Sequence, residues 1–307
     1  MNYALVTPAK NEEAFIEKAL KSVVAQTVLP LRWVIVNDGS TDRTSEIVTS
    51  YQQRFPFIRL VNRESGQHCF GSKVNAFRAG YAELEDVSFD FIGNLDADIE
   101  LPCDYYERLL AGFADDAKLG LSGGTRYDLC NGEFVKIRFS EFSIGGAYQL
   151  FRRECFDAIG GYLPLEMGGE DLMACVMARQ FGWRVCTRED ILVHHYRSTG
   201  TAQGSQMRLG FRTGKKNFLL GYHPVFECIK LMRITRVGDL RDHLSEFAGF
   251  VVAAMQGGTR QVPNETVKFL RTEQLDRLKQ TVLRFRDPAS GDRTRRHALP
   301  SSKRVEG

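Results

Sequence analysis

The chain of 307 residues is 43% hydrophobic and 26% charged, which excludes disorder along its whole length and leaves room for one large domain or two small ones. A formal net charge of +3 is too small to argue for nucleic-acid binding. The longest strongly apolar run, Phe247 to Met255, falls far short of the ~20 residues that a membrane-spanning helix requires.

The opening segment reads as structure from the start. Met1 to Val6 shows neither a basic leader nor a cleavage pattern, so Tyr3 to Thr7 is expected to be the first strand and the chain to stay in the cytoplasm. Glu12 to Ala25 carries Phe15, Ile16, Ala19, Leu20 and Val23 on one face, the period of a helix. Strands are then expected at Trp33 to Val36, Ile58 to Val61 and Phe89 to Leu95, with helices at Thr44 to Gln53 and Val74 to Leu84 between them. This alternation predicts an α/β architecture with a mostly parallel central sheet flanked by helices. After Gly120 the pattern becomes mixed, with an extended run from Phe134 to Phe139, a helix near Arg153 to Ile159 and another from Leu172 to Ala178. The seven cysteines contain no Cys-x-x-Cys pair and are expected to be reduced and mostly buried.

Open α/β sheets bind ligands beyond the carboxyl ends of their strands, and these ends carry the polar clusters. At the first, Pro8 stops the strand and Asn11-Glu12-Glu13 opens a helix. At the second, Asp38-Gly39-Ser40-Thr41-Asp42 offers a carboxylate, a glycine for close approach, and groups that can cap the next helix. Asp38 precedes the turn, where its carboxylate can accept the imide N–H of a uracil. At the third, Asp96 and Asp98 lie two apart and project to one side, a hard oxygen pair suited to Mg²⁺ or Mn²⁺ and able to hold a diphosphate, or else simple loop caps. Glu170 and Asp171 follow Gly168-Gly169 and open a helix; an ionised carboxylate there, facing a cleft, could serve as a general base, although acidic first turns usually just complement the helix dipole. His194 and His195 close an apolar run, and only one of them can face the cleft beside the carboxylates.

Taken in order, Thr7-Pro8-Ala9-Lys10-Asn11-Glu12, Asp38-Gly39-Ser40, Asp96-Ala97-Asp98 and Gly169-Glu170-Asp171 resemble the motif set of family 2 glycosyltransferases. The stretches Gly146 to Arg153 and Ile159 to Tyr162 are similar to that family's acceptor-side segment. The resemblance covers about the first two-thirds of the chain. It implies a GT-A fold and an inverting displacement in which an acceptor hydroxyl attacks the anomeric carbon of a nucleotide sugar, UDP-linked by preference. It further implies Asp171 as base with Glu170 beside it, and Asp98 as direct metal ligand. Asp96 would sit at the ribose or the metal's outer shell, and a histidine at 194 or 195 would complete the site. Thr7, Ala9, Glu12, Asp38 and Ser40 would cradle the nucleoside, with Lys73 approaching it.

Beyond residue 203 the chain is expected to form a helical extension to 286, followed by a flexible tail from 287 to 307. Gly214 to Phe218 and Gly221 to Phe226 resemble bacterial members associated with exopolysaccharide assembly. From Ser205 to Arg260 nine basic residues stand against four acidic ones, among many apolar positions. That composition suits either a peripheral contact with the inner face of an anionic membrane or an amphipathic cover for the catalytic domain. The acceptor expected from these features is a saccharide or polyprenyl-linked saccharide. A nucleotidyltransferase would want a glycine-rich phosphate loop near the first strand, and Thr7 to Glu12 contains no glycine. A non-catalytic sugar-nucleotide-binding or assembly subunit is the remaining alternative, and a glycoside hydrolase would leave Asp38-Gly39-Ser40 without a role.

Overall fold

A computed structural model of the protein describes residues 1–63, 71–137, 142–197, 206–234 and 240–286. Cys69, residues 138–139 of the extended run, the boundary at 203 and the expected tail lie outside the described residues.

The amino-terminal half is the alternation expected: β1 (Tyr3–Ala9), α1 (Ile16–Val24), β2 (Arg32–Asp38), α2 (Thr44–Gln52), β3 (Ile58–Arg63), α3 (Gly71–Ala82) and β4 (Phe91–Leu95). There follow β5 (Ile99–Glu100), α4 (Tyr105–Asp115), β6 (Leu119–Cys130), β7 (Glu133–Lys136), β8 (Tyr148–Arg152), α5 (Arg153–Ala158), α6 (Glu170–Gln180) and β9 (Arg184–His195). Four helices complete the described chain: α7 (Gln206–Leu219), α8 (Pro224–Ile234), α9 (Leu240–Met255) and α10 (Asn264–Arg286).

The strands form one sheet in the order β3-β2-β1-β4-β8-β6-β9-β5, with β7 paired to β6. Its first four strands are parallel, each β-strand returning through a crossover helix. From β8 onward the sheet is mixed: β8 runs antiparallel to both β4 and β6, while β6 and β9 are parallel. Burial on both faces makes β1, β2 and β4 continuous apolar runs. Helix α3 lies directly on this sheet at Gly80, where a Cβ would come within 2.6 Å of Val6 and 2.7 Å of Val36.

Helix α1 begins four residues later than the apolar period suggests. Asn11 has φ of +55°, and the amides of Asn11, Glu12 and Glu13 donate to Ser40 Oγ (2.9 Å), Thr44 Oγ1 (2.8 Å) and Asp42 Oδ2 (3.0 Å). Side chains after β2 thus satisfy the orphan amides after β1 and lock the two loops together, which outweighs one further turn of helix.

The carboxyl-terminal helices dock on α6 through a second apolar core, in which Leu165, Met173 and Val176 meet Leu220, Val262, Val267 and Leu270. Arg179 of α6 forks onto Glu273 of α10 at 2.7 and 2.9 Å. Helices α7, α8 and α9 share a buried polar knot: Asn217 donates to Glu246 at 2.9 Å, and Lys230 bridges Glu246 and Glu227. Burial raises the Glu227 carboxyl, a tendency Lys230 opposes. The six described cysteines are free thiols as expected, but only Cys155 and Cys175 are buried. Cys103, in the turn before α4, and Cys228, on α8, are exposed, a correction to the expectation of mostly buried thiols.

Candidate functional site

The carboxyl ends of β1, β2 and β4 open into one cleft of about 550 Å³. Its walls come from Pro8, Ala9, Lys10 and Glu12 after β1, Asp38 at the end of β2, Ser72, Lys73 and Ala76 of α3, Asp96 to Asp98 after β4, Glu170 of α6, and Arg197 after β9. Most of the residues singled out in the sequence meet here, although they are spread over nearly 190 positions.

Five expected members do not line it: Thr7, Ser40, Asp171, His194 and His195. Thr7 is fully buried in β1, where its Oγ1 accepts from the Trp33 indole N–H at 2.9 Å. An alternating strand turns that side chain away from its end. Ser40 is spent between loops, accepting the Asn11 amide. Both correct the expected cradle: their side chains shape the loops rather than the wall.

Asp38 is 5% exposed. Its Oδ2 accepts from the Ser72 hydroxyl at 2.6 Å, and Arg63 stands 3.6 Å from Oδ1. Oδ1 is buried and makes no hydrogen bond, and the Arg63 guanidinium is its charge partner. Lys73, at the first turn of α3, binds Asp96 Oδ2 at 2.7 Å. Burial would lower the Lys73 ammonium, but Asp96, Glu170 and Asp171 together raise it, so one cation serves three carboxylates.

Asp98 faces a second group. The Tyr196 amide donates to the Asp98 carbonyl at 3.0 Å, a rung that brings both flanking residues of β9's end, His195 and Arg197, onto the Asp98 carboxylate at 3.4 and 3.8 Å. Behind His195, Asp128 of β6 lies 2.9 Å from Nδ1. Burial lowers the His195 imidazole, yet the two carboxylates outweigh it and raise it overall. Burial likewise pushes Asp98 up, and His195, Arg197 and Lys73 overcome that to hold it below the usual carboxylate range. His194 faces the other way and stacks on Phe134 with ring centroids 4.1 Å apart. The choice between the histidines therefore falls on His195, and placing His194 among metal ligands is corrected by the strand's two-residue period.

Glu12 pairs with Arg197. Burial, then the charge of Asp98, pushes its carboxyl up to about 7 against the pull of Arg197. At the N-terminus of α6, Gly169 takes φ of +97° and turns Glu170 into the cleft. Burial and the adjacent Asp171 raise the Glu170 carboxyl, opposed by Lys73. Asp171 lines a small adjoining cavity with Gly146, Asn94 and Tyr162, and Lys73 and Glu170 wall both spaces. Its Oδ2 accepts the Gly146 amide at 3.0 Å and its Oδ1 the Leu172 amide at 2.8 Å. Asn94 Nδ2 reaches both the Gly146 carbonyl and Asp96, which links the two carboxylate groups through one side chain.

Arg197, Ser72, Asp128 and Asn94 were not foreseen. Arg197 carried a signal, since it follows His195 by two and so shares its side; Asp128 lies inside a long strand and carried none.

Among the described residues no group of three or more His, Cys, Asp or Glu is arranged to hold an ion. Asp98 and His195 nonetheless form a mixed oxygen and nitrogen pair oriented from behind by Asp128, a donor set that fits Mn²⁺ or Mg²⁺ when diphosphate and water fill the other positions.

Residues 4–165 match the family described as Glycosyl transferase family 2. Poly-beta-1,6-N-acetyl-D-glucosamine synthase of Staphylococcus aureus is 26% identical over 194 residues, covering 57% of this chain and 45% of that protein. Beta-monoglucosyldiacylglycerol synthase of Synechocystis sp. is 34% identical over 202 residues, covering 59% and 41%. The chain thus spans less than half the length of the curated relatives it matches. Among solved structures, S. aureus TarS in complex with UDP-GlcNAc superposes with a TM-score of 0.51 at 18% identity, covering 71% of this chain and 67% of that one. The mannosyltransferase PcManGT from Pyrobaculum calidifontis, in complex with GDP-Man and Mn2+, gives 0.55 at 15%, covering 94% and 81%. These likenesses show the GT-A fold. The chain belongs to glycosyl transferase family 2.

Proposed function

We propose that this family 2 enzyme is an inverting, divalent-metal-dependent transferase that moves a sugar from a UDP-linked donor to a hydroxyl of a saccharide or polyprenyl-linked saccharide. The observation that carries the reading is the single cleft that gathers Asp38, Lys73, Asp96, Asp98 and Glu170 at strand ends, with Asp171 at its margin. The Asp38 carboxylate, held at the cleft wall by Ser72 and Arg63, accepts the imide N–H of uracil. Asp96, fixed by Lys73, sits at the ribose or next to the metal. Asp98 and His195 would hold Mn²⁺ or Mg²⁺, which when bound neutralises charge developing on the leaving diphosphate. Arg197, anchored by Glu12, adds a second positive charge on the same side. Asp171, oriented by the Gly146 and Leu172 amides, takes the proton of the acceptor hydroxyl as it attacks the anomeric carbon from the face opposite the diphosphate. A peripheral position on the inner face of the plasma membrane suits a lipid-linked acceptor, and the relatives named as synthases of a polysaccharide and of a glycolipid are compatible with it.

The test is calorimetric titration of UDP and of GDP, with and without Mn²⁺. UDP is expected to bind in a metal-dependent way, and Asp98→Asn to weaken it by about a hundredfold. Asp38→Ala is expected to cost UDP roughly ten- to hundredfold, the worth of a charge-assisted hydrogen bond. Preference for GDP, or binding indifferent to both metal and Asp98, overturns the donor assignment.

A further inference from the structure

Helix α9 packs with its Gly249, Phe250 and Ala253 inward, and residues on its opposite side are exposed. Leu240, Leu244, Ala248, Val251, Ala254 and Met255 are all exposed there. Their spacing of four, four, three, three and one places them on a single stripe. Leu240 and Leu244 are each 50% exposed and Met255 83%. The helix is roughly 24 Å long at 1.5 Å per residue. Exposed apolar residues scattered singly need no explanation, but a continuous stripe of this length marks a contact surface.

The charges around it select the occupant. Between Met207 and Arg260, every charged side chain that is exposed among the described residues is an arginine: Arg208, Arg241 and Arg260. Of the four acids in that stretch, Glu227 is buried, Glu246 is bound by Lys230 and Asp242 is half-buried, while Asp239 lies outside the described residues. An apolar helix face with exposed arginines near it in the chain complements an anionic lipid surface. No described helix is long and apolar enough to cross a membrane.

We propose that the outer face of α9 seats the enzyme on an anionic bilayer. The inference specifies the membrane contact proposed above and rests on that part of the reading; it does not depend on the donor site. The seat also has a consequence for catalysis. Gln261, just past α9, accepts the Glu166 amide at 2.9 Å, and Leu220 packs under Gly169. The bilayer-facing unit is therefore joined to the loop that presents Glu170 and Asp171.

The experiment is co-sedimentation of the full chain with vesicles of phosphatidylcholine alone and with about 30 mol % phosphatidylglycerol. The wild type is expected to bind the anionic vesicles at least about tenfold more tightly than the neutral ones. Leu244→Glu/Val251→Glu is expected to lose binding to both by about tenfold or more, and Arg208→Gln/Arg241→Gln to lose only the anionic preference. Both substituted pairs are exposed, and an unchanged melting curve and UDP titration show that the fold persists. Failure of the wild type to bind anionic vesicles, or equal binding by the Leu244→Glu/Val251→Glu variant, overturns the proposal. So does a wild-type dimer in sedimentation velocity that this variant dissolves without either form binding vesicles, which assigns the stripe to a second copy of the chain. None of these results touches metal-dependent nucleotide binding, so the donor assignment stands or falls separately.

Discussion

Asp171→Asn is expected to lower the rate of sugar transfer by about 10³-fold, the usual worth of a general base, while leaving metal-dependent UDP binding unchanged. The separation is possible because Asp171 lies outside the main cleft. It lines the small adjoining cavity, and its two oxygens are held by the amides of Gly146 and Leu172. Asparagine nearly matches the shape and can keep one accepted hydrogen bond through its carbonyl, but it cannot take a proton. The measurement is UDP release from a panel of UDP-sugars, in the presence and absence of acceptor, together with UDP affinity for each variant. Glu170→Gln is the informative companion. Glu170 faces the main cleft, where burial and Asp171 raise its carboxyl and Lys73 opposes them. Its amide variant is expected to cost about tenfold or less in rate, through the balance of charge around Lys73 and not through proton transfer. A dead Glu170→Gln beside an active Asp171→Asn would exchange the two roles. Full activity in both would remove the α6 carboxylates from the mechanism.

Much of this site was legible because it sits where an α/β sheet always opens, and because Asp38, Asp96 and Asp98 each follow an apolar strand whose end can be read from composition. The helix N-terminus at Glu170 was legible for the same reason, through Gly168-Gly169 and the apolar run that follows. What could not be read is what depends on pairing across the sheet. Tyr148 to Arg152 becomes the antiparallel strand β8, wedged between β4 and β6, yet it has no alternation to announce it, since four of its five residues are buried. Asp128 meets His195 only because β6 and β9 run in parallel register, with Asp128 opposite His195. Thr7 and Ser40 failed as cleft residues for a related reason: a polar side chain at a strand end has several partners within reach, and here Trp33 and the Asn11 amide claimed them. Motifs located the functional loops; the hydrogen bonds between loops decided which side chains remain for a ligand.

The carboxyl-terminal helices carry the largest expected effect on stability. Helices α7 and α9 touch backbone to backbone at glycines: a Cβ added to Gly214 would lie 1.7 Å from the Glu246 carbonyl oxygen and 2.7 Å from the Phe250 nitrogen, and one added to Gly249 would lie 2.0 Å from the Phe211 carbonyl oxygen. Neither neighbour can move aside, because each is part of a helix. Gly214→Val must therefore separate the two helices, and separation also stretches the Asn217 and Lys230 contacts to Glu246 and leaves that partly buried carboxylate without its partners. Overpacking alone costs about 1–3 kcal/mol, and losing hydrogen bonds to a charged group about 1.5–3 kcal/mol. The combined loss is expected to be about 4 kcal/mol, read as a drop in Tm of roughly 8 °C or more. Ala248→Val is the matched control at an exposed position of α9, and is expected to stay within about 0.5 kcal/mol of wild type. Thermal melting checks both, and amide exchange locates the damage, with protection expected to fall first in α7 and α9 and later in the β1 to β4 sheet. Because Leu220, at the end of α7, packs under Gly169, Gly214→Val is also expected to slow transfer while sparing UDP binding to Asp38 and Asp98. A Gly214→Val protein as stable as the control would mean that α7 and α9 are not in backbone contact, and the polar knot around Glu246 would lose its structural basis.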